Sequence, residues 1–265
     1  LGFSEENFKS RLTLFEGDIR DKNLLEEIFL KQIKKGKPIE IVFHFAGLKS
    51  VEESIIEHKK YWDVNVNGTK NLIKVMSNHN CKTLIFSSSA TIYGSSNQSL
   101  IPEEAEIKPI NPYGETKVAI EKMLFELAGC KECNSIIQIP SPNGWRIARL
   151  RYFNPVGAHL SGLIGEDSNQ APNNIMPLIM KVASNQSPKL KIFGGDYNTK
   201  DGTGIRDYIH VVDLAKAHVC ALNKILKSDS SFLTANLGTG LGVSVLELVK
   251  TFQSVTGKQV PYEIV

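Results

Sequence analysis

The sequence has no apolar run long enough to cross a membrane and few cysteines. Its longest apolar stretch, Ile39–Leu48, is interrupted by Glu40 and His44, whereas a membrane span needs about 20 apolar residues. The first residues lack the pattern of a secretory signal. Of the four cysteines, only Cys130 and Cys133 have metal or redox spacing, and no second pair completes a zinc site. We therefore expect a reduced, cytoplasmic protein without a structural metal.

The chain also lacks a strong charge of either sign. Its formal net charge is +3, and its lysines and arginines are scattered rather than clustered, which argues against nucleic acid as a partner. With 265 residues, 42% of them hydrophobic and 22% charged, it is typical of a soluble globular protein of one or two domains.

A glycine-rich phosphate loop is missing as well. The one dense glycine cluster, Gly238–Gly242, has Val243 where the third glycine of G-x-G-x-x-G would stand, and no strand–acid unit follows it. We interpret this cluster as a structural turn before a helix. The chain begins at Leu1 and ends in the strand-like Val260–Val265, so we expect it to be truncated at both ends.

The first part of the chain alternates strands with amphipathic helices. Strands separated by helices predict a doubly wound α/β fold, in which a parallel sheet binds ligands at the carboxyl ends of its strands. The predicted strands are Leu12–Phe15, Ile39–Ala46, Lys82–Ser88 and Trp145–Tyr152, and the predicted helices are Asp21–Lys35, Tyr61–Asn78 and Pro112–Gly129.

From Asn154 onwards the composition changes to loops rich in Gly, Asn, Asp and Pro around shorter elements. Long loops in a compact protein are usually binding loops. We therefore divide the chain into a dinucleotide-binding domain, residues 1–153, and a smaller, incomplete α/β substrate domain, residues 154–265, leaving open whether the two interleave. Cys130–Gly144 is interpreted as a surface insertion. The predicted elements of the second part are helices at Ile175–Asn185, Val211–Lys227 and Ser244–Thr256 and strands near Leu190–Phe193, Asp207–His210 and Leu233–Leu237.

The most informative residues are Tyr113 and Lys117, which share one face of a predicted helix because they are four residues apart. Using a tyrosine as a base at neutral pH costs about 4 kcal/mol, for a pKa shift of roughly three units. A lysine charge at about 6 Å in an effective dielectric near 20 supplies about 2.8 kcal/mol. Lys117 alone therefore falls short, and a second positive charge, such as an oxidised nicotinamide, is needed. A surface tyrosine and lysine on an amphipathic helix is the structural alternative.

Other polar residues stand where predicted strands end. Ser87, Ser89 and Thr91 close the strand before the Tyr113 helix, where a hydroxyl can orient a reacting sugar oxygen, although a serine-rich turn would look the same. Gly47 lets a ligand approach the backbone, and Lys49 beyond it offers a cation to phosphate. His44 and Asp18 are less specific: His44 is interpreted as a core histidine, and Asp18 as an adenine acceptor or a helix cap.

Taken together, these segments resemble the UDP-glucose 4-epimerases, a family of extended short-chain dehydrogenases/reductases, over nearly the whole chain. Each motif alone is weak, but Arg151–Ala158 and Asp201–His210 are narrower, and the joint match is strong. The matching segments, in order, are Asp18–Ile19, His44–Lys49, Asn65–Thr69, Phe86–Gly94, Tyr113–Lys117, Arg151–Ala158, Asn173–Pro177 and Asp201–His210.

The resemblance implies NAD as cofactor, UDP-glucose and UDP-galactose as substrates, and inversion at C4 through a 4-keto sugar. It makes Tyr113 the base, with Lys117 lowering its pKa and holding the nicotinamide ribose, and Ser89 hydrogen-bonding the same sugar oxygen. The implied cofactor residues are Asp18, Ile19, Phe45, Ala46, Gly47, Lys49, Ser87, Tyr113, Lys117 and Phe153. The implied UDP-sugar residues are Ser89, Thr91, Tyr113, Asn154, Asn173, Asn174, Ile175, Phe193 and Arg206.

The chain departs from this family in lacking the glycine-rich loop of the first strand and the acidic residue that binds the adenosine ribose. We therefore expect an intact parent to be active and these residues alone to be inactive. The resemblance also implies a homodimer that pairs through Tyr61–Asn78 and Pro112–Gly129. Two alternatives stay open: a nucleotide-sugar 4,6-dehydratase or decarboxylase, disfavoured because Ala90 offers no carboxylate, and a non-catalytic nucleotide-binding relative.

Overall fold

The structure is a computed structural model that describes residues 12–95, 100–130, 138–166, 174–229 and 231–265. Two residues discussed above, Cys133 and Asn173, lie outside the described residues.

Helices and strands alternate along the first part of the chain. The helices are α1 (Lys22–Lys34), α2 (Val51–Ile56), α3 (His58–Tyr61), α4 (Gly68–Asn78), α5 (Pro112–Leu127), α6 (Ile175–Ala183), α7 (Val211–Ile225) and α8 (Val245–Thr256). The strands are β1 (Ile41–His44), β2 (Thr83–Ser89), β3 (Gln138–Ile139), β4 (Arg146–Tyr152), β5 (Asn154–Val156), β6 (Leu190–Ile192), β7 (Ile205–His210), β8 (Ser231–Leu237), β9 (Gly242–Ser244) and β10 (Tyr262–Ile264).

The main sheet has five strands in the order β1-β2-β4-β8-β3. Strands β1, β2, β4 and β8 are parallel, and β3 pairs antiparallel to β8 at the edge. One face carries an apolar core shared with α1, α4 and α5, and the other packs against α7. The fold class predicted from the sequence, a doubly wound α/β sheet, is confirmed.

Strand β8 belongs to the main sheet although it comes late in the sequence. Its register places Ile147 opposite Phe232 and Tyr152 opposite Leu237. The segment after residue 153 therefore contributes both β8 and the covering helix α7 to the sheet built by the first segment. The rest of this segment forms a three-stranded sheet, β5-β7-β9, and a pair of strands, β6 and β10, that packs with α6 and α8 around a second core.

Local sequence signals explain where the main helices begin. Asp21 caps α1 by accepting from the Leu24 amide at 3.0 Å, and Asn111 caps α5 by accepting from the Gly114 amide at 2.8 Å. Pro112 stands at the first turn of α5, where its missing N–H costs nothing. These caps fix the start of α5, and with it the position of Tyr113, the second residue of that helix.

Two predictions need correction. Leu12–Phe15 is not a strand: it pairs with no other described segment, and Leu14 is 88% exposed. β-branched and aromatic content makes a strand only where a neighbouring strand satisfies its backbone groups. The helix predicted at Tyr61–Asn78 forms, but its Trp62–Asn67 portion is a π-helical turn, a feature often found at functional sites. Among the described helices, none combines the length and apolar character needed to cross a membrane.

Candidate functional site

Tyr113, Ser89 and Lys117 meet at the carboxyl end of the main sheet. Ser89 is the last residue of β2, and its Oγ lies 2.9 Å from Thr91 Oγ1 in the short 3-10 turn that follows. Lys117 is buried one turn along α5 from Tyr113, with its Nζ 5.7 Å from the centre of the Tyr113 ring. The structure thus brings together the three residues predicted to be catalytic.

A glycine makes this corner possible. Gly94 ends the 3-10 turn with φ 66°, and a Cβ there would lie 2.1 Å from the Lys108 carbonyl oxygen. Only glycine adopts this left-handed conformation without strain in so little space. Glycine at this position therefore lets the chain turn directly after the short segment that carries Thr91.

The pKa of Tyr113 is governed by burial. Burial raises it above the ordinary value of about 10, and the hydrogen bond from Ser89 lowers it in part. The chain's own groups therefore do not make a phenolate at neutral pH. That Lys117 together with an oxidised nicotinamide lowers this pKa far enough stays a prediction.

Lys117 is a buried cation held by the backbone. Its Nζ donates to the Ser87 carbonyl at 2.8 Å and lies 4.9 Å from the centre of the Phe86 ring. Burial lowers its pKa from 10.5 to about 8, and the nearby Glu121 carboxylate opposes that change. Near neutral pH the ammonium form therefore predominates and can stabilise negative charge on the Tyr113 oxygen.

A buried ionic network lies behind this site on the α5 face of the sheet. Glu121, one further turn along α5, receives Ser88 Oγ at 2.6 Å and an ion pair from Arg149 Nη1 at 3.1 Å. Arg151 donates to the same carboxylate through two nitrogens and also to Tyr93 Oη at 2.6 Å. The network ties β2, β4 and α5 together where they present Ser89, Tyr113 and Lys117.

The residues predicted to hold the cofactor phosphates follow β1 and are exposed. Phe45, Ala46, Gly47 and Lys49 form an open loop, and Lys49 has a side chain that is 79% exposed. Asn65 in the π-helical turn fixes the loop, accepting from the Leu48 amide at 2.8 Å and donating to the Leu48 carbonyl at 3.1 Å. The arrangement offers backbone and an ammonium group to an anionic ligand.

Asp18 and Ile19 stand at the far side of this loop. The Asp18 carboxylate accepts from Arg20 through its backbone amide, Nε and Nη2, and these bonds lower its pKa to about 2. Ile19 packs beside Gly68 at the start of α4. At the surface, the Asp18 carboxylate thus already accepts hydrogen bonds from Arg20, and its role with adenine stays a prediction.

The predicted sugar-nucleotide residues lie on the second half of the chain. Asn154, Asn174, Phe193 and Arg206 are exposed, Ile175 is half-buried, and Asn173 lies outside the described residues. Asn174 Nδ2 donates at 2.8 Å to Glu166, whose carboxylate is also 4.0 Å from Lys49 Nζ. One carboxylate thus links a residue predicted to bind cofactor with one predicted to bind substrate. Arg206 Nη1 donates to the neighbouring Ile205 carbonyl at 2.7 Å.

Two interpretations from the sequence are confirmed. The Gly238–Gly242 cluster is a structural turn: Asp207 accepts from the Thr239 amide at 2.8 Å, Thr239 Oγ1 at 2.7 Å and the Gly240 amide at 2.8 Å. Its amide groups are therefore not free for phosphate. His44 is a core histidine, buried with Nε2 2.8 Å from Thr69 Oγ1, and burial lowers its pKa to about 3.

Sequence reasoning gave no role to Asn65, Glu121, Tyr152 or His218, although Asn65 and Tyr152 lie in segments that carry the resemblance. Glu121 carried a usable signal, because a carboxylate four residues after Lys117 falls on the same buried helix face. Arg149 and Arg151 carried another, because arginines within an otherwise apolar strand need a buried acid. The Tyr152–His218 contact spans 66 residues and left no local signal.

Comparison with known proteins finds a matching family model and similar proteins. The model of the NAD dependent epimerase/dehydratase family matches residues 3–235. UDP-glucose 4-epimerase 4 of Oryza sativa subsp. japonica is 49% identical over 253 residues, which are 96% of this chain and 64% of that protein. UDP-glucose 4-epimerase of Bacillus subtilis is 47% identical, over 95% of this chain and 69% of that protein. The chain thus spans less than two thirds of the rice relative's length.

Solved structures of UDP-glucose 4-epimerases are similar to this chain. A UDP-glucose-4-epimerase from Stenotrophomonas maltophila with bound NAD and formylated UDP-arabinopyranose superposes with a TM-score of 0.85 at 43% identity, covering 95% of this chain and 70% of that one. UDP-glucose 4-epimerase from Bifidobacterium longum in complex with NAD+ and UDP gives a TM-score of 0.82 at 43% identity, with the same coverage.

Proposed function

The chain belongs to the NAD dependent epimerase/dehydratase family, and on that premise we propose that the protein carrying it interconverts UDP-glucose and UDP-galactose by inverting C4 of the hexose. One observation carries the proposal. Ser89, Tyr113 and Lys117 converge at the carboxyl edge of the sheet, where a phenol, a hydroxyl and a buried ammonium can act on one sugar oxygen.

The chain's residues handle the proton. Tyr113 takes it from the 4-hydroxyl, Ser89 orients that oxygen by a hydrogen bond, and Lys117 stabilises the phenolate. When bound, NAD supplies reversible hydride transfer at C4. For C4 to be inverted, the sugar would have to present its other face to the cofactor before Tyr113 gives the proton back to the 4-oxygen. Binding strength is therefore concentrated in the UDP moiety, and Asn174 and Arg206 are proposed to contact it.

The side chains around the site fit a dinucleotide. The exposed Lys49 ammonium and the open backbone at Gly47 suit phosphate oxygens, and Asn65 holds that loop in place. Phe153 packs against Gly238 beside the end of β4 and is proposed to adjoin the nicotinamide. Lys117 is proposed to hold the nicotinamide ribose. The oxidised nicotinamide ring held there would be the second positive charge that Tyr113 needs. Asp18 and Ile19 are proposed to line the adenine site.

The test compares Tyr113→Phe with the unchanged sequence in the full protein that carries this chain. We expect epimerisation of UDP-glucose to fall roughly 10²–10⁴-fold, the usual contribution of a positioned base, while UDP binding by calorimetry is unchanged. Tyr197→Phe, at an exposed tyrosine, is the matched control. Unchanged turnover in Tyr113→Phe would reject the proposed base, and release of a dehydrated keto sugar would favour a dehydratase, an alternative that the similarity to 4-epimerases does not favour.

We further propose a cytoplasmic homodimer. Cys81 and Cys220 carry free thiols, which suits a reducing compartment. Trp62 and Ile55 are exposed near the start of the Tyr61–Asn78 helix, one of the two helices proposed to pair. Light scattering on this chain, with a mass of 29.4 kDa, would give twice that value for a dimer and the single value if the proposal is wrong.

A further inference from the structure

Tyr152 is a second phenol at the carboxyl edge of the sheet. It ends β4 directly opposite Ser89 in the ladder with β2. Consecutive residues of a strand point to opposite faces, so Arg151 faces α5 and contacts Glu121, whereas Tyr152 faces α7 and contacts His218. Two phenols, Tyr113 and Tyr152, therefore stand near the same edge from opposite sides, and a single-base mechanism needs only one to ionise.

The direction of the hydrogen bonds around Tyr152 is fixed by its far end. His218 Nδ1 lies 2.8 Å from the Leu214 carbonyl oxygen, which can only accept, so Nδ1 carries the ring hydrogen. His218 Nε2 is then an acceptor, and the Tyr152 hydroxyl donates to it. Hydrogen bonding by the Ser87 side chain lowers the pKa of Tyr152. The Tyr152 hydroxyl hydrogen therefore points towards His218 on α7.

The surroundings of His218 keep its ring neutral. The ring is buried and lies 5.2 Å from the Phe45 ring, 6.3 Å from the Phe43 ring and 5.3 Å from the Tyr152 ring. On its own helix it meets the Leu214 carbonyl, and no charged side chain among the described residues is recorded against it. Burial lowers the His218 pKa, so Nε2 stays available as an acceptor at neutral pH.

Ser87 connects this series to the catalytic cluster. Its carbonyl receives Lys117 Nζ at 2.8 Å while its hydroxyl hydrogen-bonds Tyr152. Burial, with a smaller contribution from negative charge on Tyr113, raises the pKa of Tyr152 to about 12. Tyr152 therefore stays protonated when Tyr113 ionises. Its hydroxyl hydrogen then needs an acceptor other than the Tyr113 oxygen.

We infer that His218 is a positioning residue that takes the Tyr152 hydroxyl hydrogen on the α7 side of the sheet, so that Tyr113 is the only phenol acting as base. The inference rests on the proposed function for its catalytic consequence. Without His218 as acceptor, the Tyr152 hydroxyl turns towards the cleft and donates to the Tyr113 phenolate or the sugar oxygen. Either bond weakens Tyr113 as a base.

The experiment uses two substitutions of similar size on α7. His218→Gln keeps an acceptor oxygen near the place of Nε2, whereas His218→Leu removes it, and both residues are good helix formers. In His218→Leu, kcat for UDP-glucose should fall roughly tenfold, the size of one misdirected hydrogen bond, with the acidic limb of the kcat profile moved to lower pH and KM unchanged. His218→Gln should restore most of kcat. In a Tyr152→Phe background, His218→Leu should cause no further loss.

A second readout does not depend on turnover. Nitrogen-15 spectra of protein with labelled histidines should show His218 with Nδ1 protonated and Nε2 bare, and Tyr152→Phe should shift the Nε2 signal. The reverse tautomer overturns the inference whatever the activity. So does an equal loss of kcat in the Gln and Leu variants, or an unchanged kcat in His218→Leu while Tyr113→Phe is inactive. If Tyr113→Phe is itself fully active, the proposed function fails, and the tautomer result still tests the hydrogen bond from Tyr152 to His218.

Discussion

Arg151 and Glu121 form a two-point ion pair inside the protein, with Nε 3.0 Å from Oε1 and Nη2 2.8 Å from Oε2. Both side chains are almost wholly buried, at 1% and 2% exposure. A buried pair of this kind contributes little net stability when intact, because desolvation offsets the attraction, but its disruption leaves a charge with no compensation. The pair is therefore best tested by removing one charge.

Replacing Glu121 with Gln should lower the free energy of unfolding by about 3–5 kcal/mol, since Arg151 and Arg149 would lose their shared counter-charge. Urea unfolding at neutral pH measures the change. Glu126→Gln, at an exposed position of the same helix, is the control and should stay within about 0.5 kcal/mol of the unchanged protein. Equal effects of the two substitutions would show that removing the Glu121 charge does not destabilise the fold.

The buried Lys117 predicts a stability that rises with pH. Its pKa is 10.5 when exposed and about 8 in the fold, so the unfolded chain holds more protons between those values and the folded state gains stability as pH increases through that window. The gain should be roughly 3 kcal/mol, from about 2.5 pKa units. The gain is measured by comparing the unfolding free energies of Tyr113→Phe and Tyr113→Phe/Lys117→Met at several pH values from 7 to 10.5. Both variants carry Tyr113→Phe, so that the nearby phenol does not titrate in either. A difference that does not change with pH would mean that Lys117 is not desolvated.

The turn at Gly238–Gly242 depends on one carboxylate. Asp207 accepts three hydrogen bonds from Thr239 and Gly240, and an amide in its place has only one acceptor oxygen. Asp207→Asn should therefore lower the free energy of unfolding by about 1–2 kcal/mol. Asp196→Asn in an exposed loop is the control, and thermal unfolding compares them. Equal midpoints would show that the turn holds without its carboxylate.

Sequence periodicity was enough to predict the parallel sheet and the pairing of Tyr113 with Lys117, because both depend on spacing along one helix or one strand. The predicted start of this helix at Pro112 is also correct. By contrast, Leu12–Phe15 has strand-like composition but no described partner, and strand formation depends on a neighbour that the local sequence does not specify.

The parts that sequence could not predict are contacts between distant segments. The Ser87 carbonyl on β2 receives Lys117 from α5, and His218 contacts Tyr152 from a position 66 residues later in the chain. The raised pKa of Tyr113 was also beyond reach, because helix spacing predicts a neighbouring lysine but says nothing about how deeply the phenol is buried.

Strand β8 sits between β4 and β3, yet it emerges from the ribosome long after both. While the nascent chain is being made, β4 keeps one open edge and β3 has no partner in the sheet. Such edges invite association with other chains. During synthesis, these edges therefore stay open until Leu237 has left the exit tunnel, and a chaperone can cover them in that interval. Chains stalled before and after that residue should differ sharply in protease resistance.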